Sequence, residues 1–312
     1  MNISSNPVAV FITGAHLDVV GRLNFAPVNG VSNPGKMKSV PGGISLNMAS
    51  TAVQLGLNCI IIGPIGDDLA GAQVRDAISE RGIIDGMTPG GETGIYTSIL
   101  APNGSLVIAI ADLEIYEKIT AASIFDYHGE ALSKAKFWML NTNVPASILT
   151  EIVREKEAGF SSEILIAAAT ISPAKAPHLV PILEFIDVLF TNKLEAMSLL
   201  GKTGAQDNTD LCGELRRSGV KSGTMSDGAE ALFWWSGEDH GTLSPSRPEN
   251  IASVTGAGDA LAGSVLAGLA KGLNFEMAVK NGMAAAKLTL QSDGPVCLQL
   301  NWEKLESEII TG

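Results

Sequence analysis

Cysteine, aromatic residues and positive charge are all in short supply in this chain. Its three cysteines, Cys59, Cys212 and Cys297, are odd in number and widely separated in the sequence. Such a set fits neither a disulfide framework nor a zinc site, so we expect a reducing, cytoplasmic environment. Aromatic residues make up only 5% of the chain, whereas hydrophobic residues make up 46%. Aliphatic side chains must therefore fill the core.

Basic residues are too few and too scattered to serve a nucleic-acid partner. Lys and Arg number 21 against 33 Asp and Glu, which gives a formal net charge of −12. The only dense basic cluster is the pair Arg216 and Arg217. A chain of this charge repels a phosphate backbone, so we expect no nucleic-acid partner. A nucleotide ligand must then be small and bound by backbone amides, a metal ion or a few side chains.

Long apolar stretches are also missing. The longest apolar runs have the length of a strand, as in residues 59–62, and none reaches the length of a membrane span. Residues 1–7 are polar and lack the basic segment followed by an apolar stretch that is typical of a signal peptide. We therefore expect a cytoplasmic protein without a membrane partner.

Strand-like and helix-like segments alternate along the chain. Helical spacing covers residues 41–56, and a second helix follows the turn at 66–68 and runs to Arg81, with Gly56 and Gly82 as stop signals. Short apolar runs predict strands at residues 8–12, 59–62, 137–140, 164–168, 188–190 and 231–235. This alternation predicts an α/β fold with a doubly wound, mostly parallel sheet and helices on both faces. We expect residues 1–312 to form a single domain.

Two segments break this alternation. Residues 17–40 are rich in Asn, Pro and Gly, and residues 93–112 alternate around the hairpin signal Asn103-Gly104. Neither segment has helical spacing, so together they predict a small antiparallel β lid that projects from the main domain. An exposed lid sheet has an edge and a face that a second subunit can cover, and we therefore expect a homodimer through the lid.

The most informative motif is Thr255-Gly256-Ala257-Gly258-Asp259, which is followed by apolar residues at helical spacing. The glycines place a tight turn at the amino terminus of a helix, where free backbone amides and the helix dipole attract an anion such as a phosphate. Asp259 is then in position to act as a catalytic base toward an attacking hydroxyl. The same string also fits a tight turn in which the aspartate only caps the helix.

This stretch resembles the carboxy-terminal signature of the ribokinase-like (PfkB) carbohydrate and nucleoside kinases. Residues 42–49 (GGISLNMA) resemble the amino-terminal motif of that family, and the matches continue in register from residue 8 to about residue 290. The resemblance implies ATP as co-substrate, Mg²⁺ as cofactor and a monovalent cation as a candidate activator. It also implies that Asp259 is the base. The anion hole would be formed by Thr255, Gly256, Ala257 and Gly258. The sugar hydroxyls would be bound by Gly42, Gly43 and Asn47.

Two further stretches resemble the same family. Residues 14–18 are similar to its first sugar-contacting loop, which implies that Asp18 binds hydroxyls. Asn192 and Glu195 have the N-x-x-E spacing that the family uses around magnesium and the phosphates, with Glu195 reaching the metal through water. Simpler alternatives exist, since Asp18 fits an ordinary turn and Asn192 with Glu195 fits a helix-capping pair. Asn47 by itself fits a solvated or capping residue equally well.

The segment Ser32-Asn33-Pro34-Gly35-Lys36 lies just before the glycine motif and is unusual for sugar kinases. It resembles a lid segment of the pseudouridine kinases within this family, and the chain around Asp112 resembles the segment after their hairpin. Asn, Ser and Lys side chains beside a sugar site suit the polar edge of a uracil. The resemblance therefore implies phosphorylation of the 5′-hydroxyl of pseudouridine. A surface turn with a solvated lysine is the simpler alternative, and ribose, another sugar or another nucleoside are alternative acceptors.

The sequence departs from the family pattern at the expected nucleotide site. Ser253 stands where the family usually has an aspartate. Where the family has G-x-x-G, Asp227 and Glu230 take the places of the glycines, and Ser226 and Gly228 remain as nucleotide contacts. Two carboxylates repel a triphosphate, so we expect weak ATP binding. A non-catalytic ligand-binding protein is therefore the rival hypothesis, whereas a nicotinamide-binding oxidoreductase is disfavoured because no G-x-G-x-x-G follows the first strand.

Overall fold

A mostly parallel nine-stranded sheet forms the centre of the computed structural model, which describes residues 9–246, 248, 250–251 and 255–311. Its strands, in spatial order, are β13 (Asp239–Leu243), β12 (Leu232–Ser236), β11 (Ser222–Ser226), β10 (Val188–Asn192), β9 (Leu165–Ala169), β8 (Phe137–Asn141), β1 (Ala9–Ile12), β4 (Cys59–Gly66) and β5 (Ile84–Gly91). In this spatial order, all neighbouring strands between β11 and β5 pair in parallel. Strands β12 and β13 extend the sheet beyond β11 as antiparallel strands. The predicted mostly parallel sheet is confirmed.

The order of the strands reverses beside β1. Strands β4 and β5 extend the sheet on one side of β1, whereas β8 to β11 extend it on the other. In open α/β sheets, ligands bind at the carboxyl ends of the strands where this reversal opens a crevice. The crevice beyond β1 and β8 is therefore the place where the fold favours a site.

Helices cover both faces of this sheet, as the sequence predicts. They are α1 (Ile44–Gln54), α2 (Leu69–Glu80), α3 (Ala121–Lys134), α4 (Ala146–Gly159), α5 (Lys193–Leu199), α6 (Asn208–Arg217), α7 (Ala257–Ala270), α8 (Phe275–Leu290) and α9 (Trp302–Thr311), with 3₁₀ helices at Glu114–Lys118 and Ala176–Phe185. Phe11 points into one apolar cluster with Leu46 and Val265. Its neighbour Ile12 points into a second cluster with Leu149. Because both faces are buried, the central strands are continuous apolar runs.

A separate four-stranded sheet, the lid, consists of β3 (Gly35–Gly42), β2 (His16–Leu23), β6 (Ile95–Leu100) and β7 (Leu106–Asp112) in that spatial order. The pairs β2–β3 and β6–β7 are antiparallel, but β2 and β6 are parallel. The prediction of an antiparallel lid is therefore wrong in this respect, because the lid is a mixed sheet. The chain passes from β3 through α1, β4, α2 and β5 before it returns, and this long connection allows β6 to run in the same direction as β2.

Side chains on successive residues of the lid strands alternate between two faces. The inner lid face carries Asp18 together with its cross-strand neighbours Val40 and Tyr96. The outer lid face carries the apolar residues Val19, Met37, Ile99, Ile108 and Ile110. Met37, Ile108 and Ile110 are exposed. The outer lid face is thus an apolar surface that nothing in the described part of the chain covers.

Three strands lack the apolar patterns on which the sequence predictions rest. Strand β5 contains Pro89 and three glycines, β11 is built from the sequence SGTMS, and β13 is a largely exposed edge strand. The other strands of the sheet have the apolar pattern, and these three pair with them. Their conformation is therefore decided by tertiary pairing and not by their own sequence. None of the described helices is both long and apolar enough to cross a membrane.

Candidate active site

Asp259 lies in the first turn of α7, directly after a tight turn. Gly256 has φ of +88°, and a Cβ on it would overlap the carbonyl oxygen of Pro295. A Cβ on Gly258, in contrast, would meet no atom of the described residues outside its own helical turn within 4 Å. Open space therefore lies beside the amino terminus of α7, where backbone amides and the helix dipole favour an anion. The residues of this turn are Thr255, Gly256, Ala257 and Gly258, while Ser253 lies outside the described residues.

Close packing of α7 on α1 brings Asp259 to Asn47. A Cβ on Gly263 would overlap the carbonyl oxygen of Met48, so glycine permits this approach of the two helices. The Asn47 Nδ2 donates a hydrogen bond to Asp259 Oδ2 over 2.9 Å. Asn47 is 4% exposed, and its Oδ1 receives no hydrogen bond from any residue that the structure describes. Since a buried acceptor without a donor is costly, this oxygen is suited to accept a hydrogen bond from a ligand hydroxyl.

The carboxyl group of Asp259 has an unusual proton affinity. Burial raises its pKa from 3.8 to about 7. The hydrogen bond from Asn47 opposes this rise, and the negative charge of Asp18 adds to it. A base works best when its pKa lies near the working pH, so Asp259 is tuned to take a proton near neutrality.

Asp18 and the glycine motif meet at the start of α1. A Cβ on Gly42 would overlap Asp18 Oδ2, and a Cβ on Gly43 would lie 3.0 Å from His16 Nδ1. Gly43 also has φ of +99°, which disfavours other residues. Both glycines therefore make room for polar side chains of β2 beside the amino terminus of α1. Asp18 is in the strand β2 and not in a turn.

Asn192 and Glu195 form a reciprocal cap at the amino terminus of α5. Asn192 Oδ1 accepts a hydrogen bond from the Glu195 backbone amide over 3.0 Å, and Glu195 Oε2 accepts one from the Asn192 amide over 3.3 Å. The hydroxyl of Thr170 also donates to Glu195 Oε2. The capping alternative is therefore realised, although it leaves Glu195 as a buried carboxylate beyond the end of β10.

The side chains that could bind a metal ion indicate how magnesium would be held. Among the described residues, no three His, Cys, Asp or Glu side chains cluster in a way that could hold a metal ion. Mg²⁺ retains several waters and takes oxygen ligands from substrate phosphates together with one or two carboxylates. Glu195 is a single buried carboxylate and fits this requirement.

In the turn that follows β11, neighbouring side chains compensate the negative charge of Asp227. Asp227 Oδ2 accepts hydrogen bonds from Lys193 Nζ over 3.1 Å and from Asn208 Nδ2 over 2.9 Å. The hydrogen bonds from Asn208 and then Lys193 lower the pKa of Asp227. Gly228 has φ of +60° and lies with Glu230 in the exposed turn. The sequence shows two acids here, but it does not show that Lys193 and Asn208 contact one of them.

Ser226 is the last residue of β11, and its register partner on β10 is Asn192. This pairing explains how the two segments, which lie far apart in the sequence, come to adjoin at the carboxyl edge of the sheet. Ser226 is half-buried.

The lid segment that resembles a base-reading loop lies between β2 and β3. Asn33 Oδ1 accepts a hydrogen bond from the Val28 amide, and Asn33 Nδ2 donates to the carbonyls of Val28 and Val31. Asn33 therefore uses its polar atoms to hold together the loop between β2 and β3. Ser32 is exposed, and the register places Lys36 opposite Arg22 on the inner lid face.

Asp112 is exposed at the end of β7, where its register partner is Ile95. Ile95 in turn pairs with Leu17, so Asp112 belongs to the outer lid face. The structure therefore does not bring Asp112 to the side of the lid that carries Asp18.

Comparison with known proteins decides the family. The family model described as pfkB family carbohydrate kinase matches residues 14–299. The chain belongs to this family. The pseudouridine kinase of Escherichia coli strain K12 is 27% identical over 293 residues, which cover 91% of this chain and 90% of that protein.

Solved structures agree with this assignment. A carbohydrate kinase from Agrobacterium tumefaciens is 32% identical, with a TM-score of 0.82 and coverage of 98% of this chain and 97% of that one. A putative ribokinase II from E. coli in complex with ATP and Mg²⁺ has a TM-score of 0.79 at 17% identity, with coverage of 98% and 100%. The second likeness shows the shared fold alone. This pfkB-family member is an ATP-dependent phosphotransferase that acts on a hydroxyl of a sugar or nucleoside.

Proposed function

We propose that this pfkB-family kinase transfers the γ-phosphoryl group of ATP to the 5′-hydroxyl of pseudouridine. The observation that carries the proposal is the pair Asn47 and Asp259, in which a buried acceptor without a donor adjoins a carboxylate with a pKa of about 7. A hydroxyl-bearing ring can satisfy Asn47 Oδ1 while presenting a second hydroxyl to Asp259. The pseudouridine kinase among its relatives and the segment at residues 32–36 support the choice of acceptor.

We assign a role to each side of the site. Asp18, Gly42, Gly43 and Asn47 bind the ribose, and Asp259 accepts the proton of the 5′-hydroxyl as the new O–P bond forms and the bond to ADP breaks. The turn before α7 stabilises the transferred group through its amides. Phosphoryl transfer depends mainly on such positioning and on charge neutralisation, so few side chains are needed.

Asn192 and Glu195 would hold the nucleotide and its magnesium, with Glu195 acting through water and with Ser226 and Gly228 beside the phosphates. Mg²⁺ supplies charge neutralisation on the phosphate oxygens when it is bound. Lys193 offers a positive side chain to the phosphates, and Asp227 competes with them for it. A monovalent cation belongs to the same proposal as an activator.

Ribose is the second candidate acceptor. The observation that favours it is the Asn33 amide, whose polar atoms are used within the loop and are not turned toward a base. On this alternative, the segment at residues 32–36 closes the site over the sugar, and Ser32 and Lys36 contact solvent or phosphate.

We also propose a cytoplasmic homodimer that forms through the outer lid face. The support is the exposed apolar surface of Met37, Ile108 and Ile110, since a contiguous apolar face of this kind commonly marks an interface. Light scattering of the purified protein tests this, and Ile108→Glu is expected to convert dimer to monomer. A wild-type monomer at micromolar concentration would refute the dimer.

The test of the activity is a panel of nucleosides and sugars incubated with Mg²⁺ and ATP, with and without K⁺, in which ADP release is measured. Phosphate attachment to O5′ is read from ³¹P–¹H correlation spectra of the product. We expect the highest kcat/KM on pseudouridine. Higher activity on ribose would identify ribose as the acceptor in place of pseudouridine. No turnover on any member of the panel would favour a non-catalytic ligand-binding protein.

A further inference from the structure

Three polar side chains form a chain of contacts at the base of the lid. His16 Nδ1 lies 2.8 Å from the hydroxyl of Tyr116, and His16 Nε2 lies 3.2 Å from Asp18 Oδ1. His16 is 7% exposed and Tyr116 is 2% exposed. Tyr116 belongs to the 3₁₀ helix that follows the lid, whereas His16 and Asp18 belong to β2. The contacts therefore connect the inner lid face to the main domain.

The protonated state of Tyr116 favours one direction for its hydrogen bond with His16. Burial raises the pKa of this phenol far above its usual value, so the hydroxyl keeps its proton. His16 Nδ1 is the hydrogen-bond partner that the described residues offer to this hydroxyl. If the hydroxyl donates to Nδ1, that nitrogen carries no proton and the proton of the neutral imidazole resides on Nε2. Nε2 then carries its proton 3.2 Å from Asp18 Oδ1, and the two groups attract each other electrostatically.

The second oxygen of Asp18 is also confined. A Cβ on Gly42 would overlap Asp18 Oδ2, so this oxygen rests against the backbone just before α1. Gly43 leaves a similar space for His16. One carboxylate oxygen thus faces His16 Nε2, and the other lies against the backbone of Gly42. This arrangement restricts the rotation of Asp18 about its side-chain bonds.

We propose that His16, oriented by Tyr116, is a positioning residue that fixes the Asp18 carboxylate for recognition of a sugar hydroxyl. This inference rests on the proposed function, in which Asp18 binds the acceptor. A carboxylate that is held in place binds a hydroxyl without a further loss of side-chain entropy, so the benefit appears in acceptor binding. The spacing of the sequence does not show this role, because Tyr116 is 100 residues away from His16.

The kinetic test compares His16→Leu, which removes the donor, with His16→Gln, whose amide reaches about as far as Nε2. We expect His16→Leu to raise the KM for the acceptor roughly ten- to a hundredfold, because a charged group loses its polar partner. The KM for ATP should stay unchanged, and His16→Gln should recover most of the loss. Tyr116→Phe should raise the acceptor KM by a smaller factor. An equal rise in both KM values, or no rescue by Gln, would overturn the proposal.

Two further measurements separate this inference from the proposed function. In an Asp18→Ala background, His16→Leu should cause no further rise in the acceptor KM, since its effect passes through Asp18. An additive loss would overturn the proposal. Long-range ¹H–¹⁵N spectra of labelled wild-type protein should show His16 protonated at Nε2 and bare at Nδ1. The opposite tautomer would overturn the proposal even if no acceptor were turned over or the Leu variant failed to fold.

Discussion

On the proposed role of Asp259 as base, the ionisation of its carboxyl group sets the pH dependence of turnover, and Asn47 offers a way to shift it. A base must be ionised to accept a proton, so kcat/KM should fall as the pH drops through a pKa of about 7. Asn47→Leu removes the hydrogen bond that stabilises the carboxylate and keeps a similar volume. A hydrogen bond to a charged group contributes about 1.5–3 kcal/mol, and one pH unit corresponds to about 1.4 kcal/mol. The acidic limb should therefore move upward by about one to two pH units.

The assay is steady-state ADP release between about pH 5 and pH 9 with the acceptor below its KM, where kcat/KM reports the free enzyme. The matched control is Ser50→Ala, one turn further along α1, because Ser50 contacts Leu46 and Arg81 and not Asp259. The control should leave the midpoint of the acidic limb unchanged. A limb that stays in place in Asn47→Leu, or a wild-type profile without an acidic limb, would refute the role of Asp259 as base.

Three other perturbations test the remaining parts of the site. Asp259→Asn should lower kcat by roughly two to four decades while acceptor binding persists. Because the folded-state pKa is raised, the carboxylate costs stability as the pH rises, so this variant should also melt at a higher temperature near pH 8. Asp227→Gly should lower the KM for ATP by releasing Lys193, and an unchanged or higher KM would place the turn away from the phosphates. On the pseudouridine proposal, Asn33 exchanges its contacts within the loop for contacts with the base, so Asn33→Ala should lower kcat/KM for pseudouridine far more than for uridine or ribose. Equal losses would indicate a loop that only closes the site.

The elements that the sequence predicts correctly are those with a local signal. Residues 41–56 have helical spacing and a glycine stop, and α1 occupies Ile44–Gln54. The apolar run 137–140 corresponds to β8. Asn103-Gly104 marks the turn between β6 and β7. Local chemistry is enough in these cases, because turn residues and buried faces leave a pattern of fixed period.

The parts that the sequence does not show depend on contacts between distant residues. The parallel pairing of β2 with β6 joins strands separated by the whole of α1, β4, α2 and β5. The contact of Lys193 with Asp227 depends on the neighbouring positions of β10 and β11. His16 is a single histidine among apolar residues, and only the fold brings Tyr116 to it. Motif resemblance singles out Asp18 and Asp259, but it does not indicate that His16 contacts Asp18 or that Lys193 contacts Asp227.

The parallel pair in the lid has a consequence for how the protein assembles. The pairing of β2 with β6 closes a loop that contains β3, α1, β4, α2 and β5. Contacts between residues so far apart in the chain form slowly, because a long loop must close before they are made. We therefore expect the lid to be the last part of the molecule to become ordered. Asp18, which lies on β2, would then reach Asp259 only at the end of folding, so that a partly folded chain cannot bind its acceptor.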